Sequence, residues 1–584
     1  MTVNSRLWPM LGVSLAALFY GCGGGTTLSA SQPDTAAPEV PRDAPELRAT
    51  AYGQVRGNNE AATTGTYSWK GVPFAQPPVG ALRWKAPVAP APWSGTLAAQ
   101  KFGNACLQNG RIYGPGANNT YDASIASTLN TPVGSEDCLT LNIWRPATAT
   151  AKLPVIVFAY GGSNISGYSA DPVYDGAALA KAANAVVVTT NYRVGVLGFM
   201  NLPQLKTGAS AADDSGNFAL LDIMQALQFV KGSIAGFGGD AGNVTLMGQS
   251  AGAINTWALM ASPLAAGLFH KAVPLSGGIS LASNLAPGML PTLNPASAYL
   301  AQGNALLLNL LVADGKAADL AAAQVYAGTQ TPAQIADYLR GKDAKAILAM
   351  VLAKGLSTSG PIPDGTVLPA DPIAAMASGH YNKVPVLAGN TADEGKLFAP
   401  FLTLLGGAPG IKVSDALRFD LMAGFNPDAP TGLTSADILD ASYLPVTTPG
   451  SGYNAKTALL GNLFMTPNRD NVLNTLAGQQ PNVWYYQFNW AQEPAPWNEV
   501  YGAAHAFDLP FLFGTFGPSV FSNAVNSTAN KPGRLALSAA MMASLGAFAR
   551  NGDPNHAALG TPWQPWPHKL FFDASLTQAS ISTQ

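Results

Sequence analysis

Apolar runs of strand length alternate with longer stretches of helical spacing along this chain. Pro154-Val155-Ile156-Val157-Phe158-Ala159-Tyr160 is a short apolar run ending in glycines, and Ala185-Val186-Val187-Val188-Thr189-Thr190-Asn191-Tyr192 is a second. Each predicts a buried strand that runs into a loop. Between residues 217 and 234, apolar side chains recur at Leu220, Ile223, Met224, Leu227 and Val230, the spacing of one helix face. Residues 244–247 predict a further strand, with a helix over 253–260 directly behind it. Residues 272–276, 384–389 and 483–488 read as later strands. Strands alternating with helices predict an α/β fold: a large central, mainly parallel sheet with helices on both faces. Loops beyond the strand C-termini would carry the chemistry. The Ala/Leu-rich stretch 298–356, with 398–476, predicts helical excursions that wall the site. No segment after the N-terminal leader reads as long and apolar enough for a membrane helix.

Composition narrows the function classes. Of 584 residues, 48% are hydrophobic and only 11% charged, with a formal net charge of −2. That is enough apolar surface for a large core, and it offers no basic patch for nucleic acid. The first 21 residues have the layout of a signal peptide: Arg6, then an apolar core at residues 11–20. Leu28-Ser29-Ala30 suits an ordinary signal peptidase, whereas Leu18-Phe19-Tyr20-Gly21-Cys22 resembles a bacterial lipobox. A lipid on Cys22 would attach the chain to a membrane. Phe19 and Tyr20 depart from the small or aliphatic residues usual there. Residues 22–47 are rich in Gly, Thr, Ser, Ala and Pro and predict a flexible linker. Residues 48–584 are then one catalytic domain. The expected location is the cell envelope or periplasm, or else the medium. Three cysteines leave one unpaired if two are bridged.

The most telling segment is Gly248-Gln249-Ser250-Ala251-Gly252, a G-x-S-x-G placed between predicted strand and helix. A serine at such a turn takes a strained backbone, and small residues beside it let strand and helix approach. Its hydroxyl then projects at a helix N-terminus, which favours developing negative charge. Nucleophilic attack on an acyl carbonyl needs this arrangement.

The flanks extend the pattern. Phe237-Gly238-Gly239-Asp240 precedes the serine block. Glu136-Asp137-Cys138-Leu139-Thr140-Leu141-Asn142-Ile143-Trp144 and Gly71-Val72-Pro73-Phe74 through Leu82-Arg83-Trp84 form two more blocks. Asn191-Tyr192-Arg193-Val194-Gly195 and Phe548-Ala549-Arg550-Asn551-Gly552-Asp553-Pro554 complete the set. In this order the chain, from about residue 51 to 572, resembles the type-B carboxylesterase family, relatives of cholinesterases and bacterial nitrobenzyl esterases. The resemblance implies an α/β-hydrolase fold with helical excursions around an active-site gorge.

It also implies residue roles. Gly502-Ala503-Ala504-His505-Ala506-Phe507-Asp508 resembles the catalytic-histidine segment, which sets His505 apart from His270, His380, His556 and His568. The acid falls between serine and histidine in hydrolases of this fold. Asn390-Thr391-Ala392-Asp393-Glu394-Gly395 resembles the acid turn and implies Glu394, with Asp393 as the alternative. By position, Gly162, Ser163 and Ala251 would give the oxyanion-hole N–H groups. Ser163 replaces a third glycine there, and Asn164 stands where an aromatic is usual. Cys106 and Cys138 match paired cysteines that close a loop near the gorge, implying a disulfide, with Cys22 left over. Arg83 with Glu136, and Arg193 with Asp222, match paired charges that brace the fold.

The expected reaction is ester hydrolysis through an acyl-enzyme, with no metal or cofactor. Cholinesterase relatives hold a cation with a tryptophan in the Cys–Cys loop and a glutamate before the serine. Here that loop carries Tyr113 and Tyr121 but no tryptophan, and the residue is Gln249. Neutral, largely apolar small-molecule or polymer esters are therefore expected. Trp490 and Trp497 are candidates for the gorge wall or for core. Amide, carbamate or polyester cleavage on the same triad remains open, as does a non-catalytic binding role.

Overall fold

The computed structural model describes residues 44–584, so Cys22, the signal-peptide reading of 1–21 and nearly all of linker 22–47 lie outside the described residues. Leu47, the last residue of that linker, already opens a strand, Leu47–Ala49. This strand pairs with Gln54–Arg56, which pairs in turn with Thr96–Ala98.

An eleven-stranded sheet organises the rest. Its strands are β1 (Asn58–Glu60), β2 (Thr66–Pro73), β3 (Thr140–Pro146), β4 (Leu153–Ala159), β5 (Val186–Thr190), β6 (Gly239–Gln249), β7 (Lys271–Leu275), β8 (Val386–Thr391), β9 (Val483–Phe488), β10 (Leu570–Ala574) and β11 (Ala579–Thr583). The spatial order is β11-β10-β9-β8-β7-β6-β4-β5-β3-β2-β1. From β5 across to β10 neighbouring strands run parallel. Antiparallel pairs close both margins. The sheet is thus the mainly parallel one that the alternating apolar runs predict. Every residue of β4, β5, β7 and β8 is buried, with no alternation, because helices cover both faces.

The helices that matter below are α1 (Phe218–Ser233), α2 (Ala251–Ala261), α3 (Ala296–Ala313), α4 (Asp415–Ala423), α5 (Tyr453–Ala477) and α6 (Lys531–Asn551). Helix α2 packs on β4, β6 and β7, and α6 on β4, β6, β10 and β11. The excursion over 298–356 is helical, as its pattern predicts: α3 is followed by Leu320–Thr329, Pro332–Arg340 and Ala344–Ala353. Asp319, Thr331 and Asp343 cap the N-termini of those three helices with side-chain oxygens.

One sequence expectation needs correction. Phe218–Phe237 and Ala296–Ala313 do reach membrane-span length and hydropathy. The first is mostly buried in the core. The second buries Tyr299, Gln302, Gly303, Leu306, Leu307, Leu310 and Leu311, a stripe at helical spacing that faces the protein.

Two ion pairs tie loops to this frame. Buried Arg193 holds Asp222 of α1 at 2.7 and 2.8 Å. Arg83 grips Glu136 at 2.6 and 2.7 Å and also donates to the carbonyls of Leu339, Arg340 and Lys342. It thereby covers the C-terminal carbonyls of Pro332–Arg340 and fastens that excursion to the loop before β3. Breaking a buried pair strands the remaining charge, at a cost of about 3–5 kcal/mol.

Candidate active site

Ser250 sits between β6 and α2 with φ 57° and ψ −121°. A side chain rarely adopts this conformation, and it persists only where the surroundings dictate it. They do so from both sides. Ser250 N–H donates to Leu275 O at 2.8 Å, extending the β6–β7 ladder by one residue. Ser250 O accepts from Ala253 and Ile254 N–H, starting the helix. The flanking glycines are steric necessities. A Cβ on Gly252 would lie 2.1 Å from Ala159 O, and one on Gly248 would lie 2.1 Å from Gly252 O.

Glu394 and His505 meet beside it. Glu394 follows β8 and is 6% exposed, and His505 is 2% exposed. His505 Nδ1 lies 2.5 Å from Glu394 Oε2. Glu394 Oε1 accepts from Asn390 Nδ2 at 2.8 Å and from Thr391 N–H at 3.0 Å. Burial alone would raise the Glu394 pKa. The His505 charge and the hydrogen bonds from His505 and Thr391 outweigh burial and hold it below its ordinary value. An ionised Glu394 fixes the proton of His505 on Nδ1 and leaves Nε2 as an acceptor. In this structure Nε2 is met by the side-chain amide of Gln249 at 3.1 Å. Phe398 packs on the imidazole, ring centroids 4.8 Å apart.

Asp393 faces other partners. Its Oδ2 pairs with Lys396 Nζ at 3.3 Å and accepts from Ala503 N–H, and its own N–H donates to Ala503 O. It therefore holds the loop that presents His505. The other four histidines contact other groups: His270 Nδ1 accepts from Val244 N–H, His380 pairs with Ser378, His556 with Ser544, and His568 donates its backbone N–H to Pro565 O.

The loop after β4 approaches Ser250 from the other side. Gly162, Ser163 and Asn164 all have positive φ, at 115°, 58° and 55°. Gly162 O accepts from Ile165 and Ser166 N–H, which closes a tight turn. Among the described residues the N–H groups of Gly162 and Ser163 have no protein acceptor outside it. Ala251 N–H is the first of α2, a position that intrahelical bonding leaves free. The departure at Asn164 has a local account, while nothing in the structure explains the serine side chain at 163. Buried Asn164 and Asn255 of α2 exchange side-chain hydrogen bonds at 3.2 and 2.9 Å, and Ser163 O accepts from Ser359 Oγ. The loop is thus pinned by polar bonds to the helix that carries Ser250.

Cys106 and Cys138 form a disulfide. Two residues past Cys106, Gln108 donates to Cys106 O and Gly167 O and accepts from Gly167 N–H. The bridged loop therefore also clamps the end of the Gly161–Gly167 turn.

Ser250, His505, Gln249, Gly161, Gly162 and Ser163 line one cavity of about 260 Å³. Its apolar wall includes Ile112, Tyr113, Leu397, Phe398, Phe401 and Phe521. Arg111, Asp415 and Arg418 line it too, and sequence reasoning missed all three. Trp490 and Trp497 belong to the core: both are fully buried, Trp490 against Phe511 and Trp497 stacked on Tyr501.

Comparison with known proteins decides what this geometry belongs to. The model of the carboxylesterase family matches residues 44–580. The chain belongs to the carboxylesterase family. Para-nitrobenzyl esterase of Bacillus subtilis (strain 168) is 31% identical over 519 residues, covering 88% of this chain and 92% of that protein. Fumonisin B1 esterase of Sphingopyxis macrogoltabida is 32% identical over 482 residues, covering 82% and 77% respectively. A solved PNB esterase superposes with a TM-score of 0.67 at 28% identity, covering 92% of this chain and 97% of its own. A Geobacillus stearothermophilus carboxylesterase, solved at pH 6.2, gives 0.66 at 28%, covering 92% and 98%. The fold is accordingly the α/β-hydrolase fold, and this carboxylesterase is a carboxylic ester hydrolase.

Proposed function

We propose that the chain hydrolyses carboxylic esters with Ser250 as nucleophile, His505 as base and Glu394 as the acid that orients it. The observation that carries this reading is the Glu394–His505 pair on the cavity that the strained Ser250 enters. On substrate binding, Gln249 yields Nε2 of His505 to the Ser250 hydroxyl. His505 takes the proton as Ser250 attacks the carbonyl. The N–H groups of Gly162, Ser163 and Ala251 hold the oxyanion. The imidazolium, stabilised by Glu394, protonates the departing alkoxide, and water then cleaves the acyl-enzyme by the same route. In the same reading the enzyme works outside the cytoplasm, at the envelope through a lipid on Cys22 or free of it. The Cys106–Cys138 disulfide suits such a compartment.

The test is turnover of p-nitrophenyl butyrate by the parent and by Ser250→Ala, each also treated with a fluorophosphonate probe. Loss of about 10⁴-fold or more in kcat, with the probe mapped to Ser250 in the parent alone, is expected. A folded parent that neither turns over ester nor takes the probe sinks the assignment. Mass spectrometry of the protein purified from membranes checks the anchor: a diacylglyceryl group on Cys22 is expected, and an N-terminus starting beyond Cys22 rejects it.

A further inference from the structure

The cavity at Ser250 contains two guanidinium groups that the proposed mechanism does not use. Arg111 comes from the loop closed by the disulfide, and Arg418 from α4. Arg418 is 3% exposed, yet only its Nη2 is paired, with Asp415 Oδ1 at 2.7 Å. Its Nε and Nη1 are buried without a hydrogen bond of good geometry, as is the hydroxyl of Tyr113 on the same wall, and the Tyr501 hydroxyl lies beside both. Arg111 makes no side-chain hydrogen bond among the described residues. Burial presses against its charge, and Asp415 is the counter-charge that acts on it. One carboxylate, itself about half exposed, thus serves two arginines.

Such an arrangement favours a partner that accepts from these donors. Buried donors without partners lose their hydration and gain nothing in return. A guanidinium presents its N–H groups as a planar fork that matches a carboxylate. Beside them the wall presents Ile112, Leu397, Phe398, Phe401 and Phe521, an apolar lining, and Asp415 is the one carboxylate on it, so two positive charges face one negative.

We propose that the cavity selects esters with an apolar body and a free carboxylate at a distance from the scissile bond, which Arg418 and Arg111 bind. This rests on Ser250 being the nucleophile of that cavity. It changes the sequence expectation of wholly neutral esters. The two departures from cholinesterases, Gln249 and the missing tryptophan, removed attraction for a cation. The arginines add attraction for an anion.

The experiment compares kcat/KM for pairs of esters that differ only in the carboxylate. Monobutyl adipate against butyl pentanoate places it on the acyl side, and 4-(butanoyloxy)butanoate against butyl butanoate places it on the alcohol side. Acid release is followed at constant pH with the parent, Arg418→Met and Arg111→Met. In at least one pair the carboxylate ester is expected to be favoured about 10- to 100-fold, mainly through KM. That ratio should fall towards one in either variant and decline with added salt in the parent. Arg111 is only partly buried, so its variant carries the test if Arg418→Met fails to fold. A parent that takes p-nitrophenyl butyrate and the fluorophosphonate probe but shows no carboxylate preference in either pair overturns this proposal alone. A parent that takes neither overturns the nucleophile assignment beneath it.

Discussion

The floor of the cavity and its wall are held by different physics. The floor is backbone. Ser250 stands where a ladder bond, a helix start and two glycines leave it no other conformation. The loop opposite is fixed by positive φ at three successive residues and by an amide–amide exchange with α2. The wall is side chain. Arg111 and Tyr113 come from the loop closed by the disulfide, Phe398 and Arg418 from the excursion after β8, and they meet only where those two segments pack together. The contrast teaches where each kind of change should act. Changes in the floor should remove chemistry, and changes in the wall should alter stability and choice of substrate.

The strongest way to break this comparison is Glu394→Gln. Both donors on Oε1, Asn390 Nδ2 and Thr391 N–H, require an acceptor there. The glutamine amide NH₂ must then face His505 Nδ1 and push its proton to Nε2, the wrong tautomer for a base. Expected is a fall of about 10⁴-fold in kcat with fold and wall intact. Near-parental kcat, measured by active-site titration and initial rates, would show that the floor does not depend on this pair. The acid limb of stability tests the same carboxylate. The folded Glu394 pKa lies below its ordinary 4.5, so its contribution is present above 4.5 and is lost as pH falls through the folded value. Thermal melts of the parent should therefore drop more steeply below pH 4.5 than those of the glutamine variant.

The same division explains what the sequence could reveal. The floor is written in short windows: G-x-S-x-G, the Tyr160-Gly161-Gly162 turn and the strands that precede them all carry their constraint locally. The central strands β4, β5, β7, β8 and β9 came within a residue or two, since fully buried parallel strands are unbroken apolar runs, whereas β6 starts five residues before the 244–247 run, at polar Gly239–Asn243. Glu394 and His505 were legible only through the resemblance, because no local spacing joins a turn after β8 to a loop before α6. The wall left no such trace. Arg111 looks like a loop arginine and Arg418 like half of an i,i+3 pair with Asp415 on an ordinary helix. Their convergence is a product of tertiary structure. Trp490 and Trp497 mislead for the same reason: aromatic type and position in the chain do not tell wall from core. The helices at 218–237 and 296–313 reach span length and hydropathy although the sequence reads as having no such segment, because their few polar residues interrupt the apolar run without lowering its mean hydropathy enough.

A wall test of intermediate size is the double change Cys106→Ser with Cys138→Ser. Removing the bridge should cost about 2–5 kcal/mol and lower the melting temperature. Arg111 and Gln108 both ride on this loop, so the preference for carboxylate esters should weaken more than turnover of a short neutral ester. Equal loss on both substrates would mean that the loop supports the floor, through its clamp on Gly167, as much as the wall.

The one effect that vanishes near pH 5 sets Glu394 beside another buried glutamate. Glu394 has every oxygen paired, whereas both carboxylate oxygens of Glu493 are buried without a partner. Desolvation pushes the Glu493 pKa from 4.5 up to about 8, with its own backbone N–H and then Lys396 offsetting part of the rise. A folded pKa above the unfolded one means that proton binding favours the native state. The contribution is fully present below pH 4.5 and is lost as pH rises through about 8. Glu493→Gln keeps the shape and cannot ionise. Its melting temperature should match the parent's near pH 5 and exceed it by a margin that grows up to about pH 8 and then levels off. A constant offset across that range would mean that Glu493 ionises alike in the native and unfolded chain. The contrast between a carboxylate the site uses and one the fold merely encloses would then fail at this position.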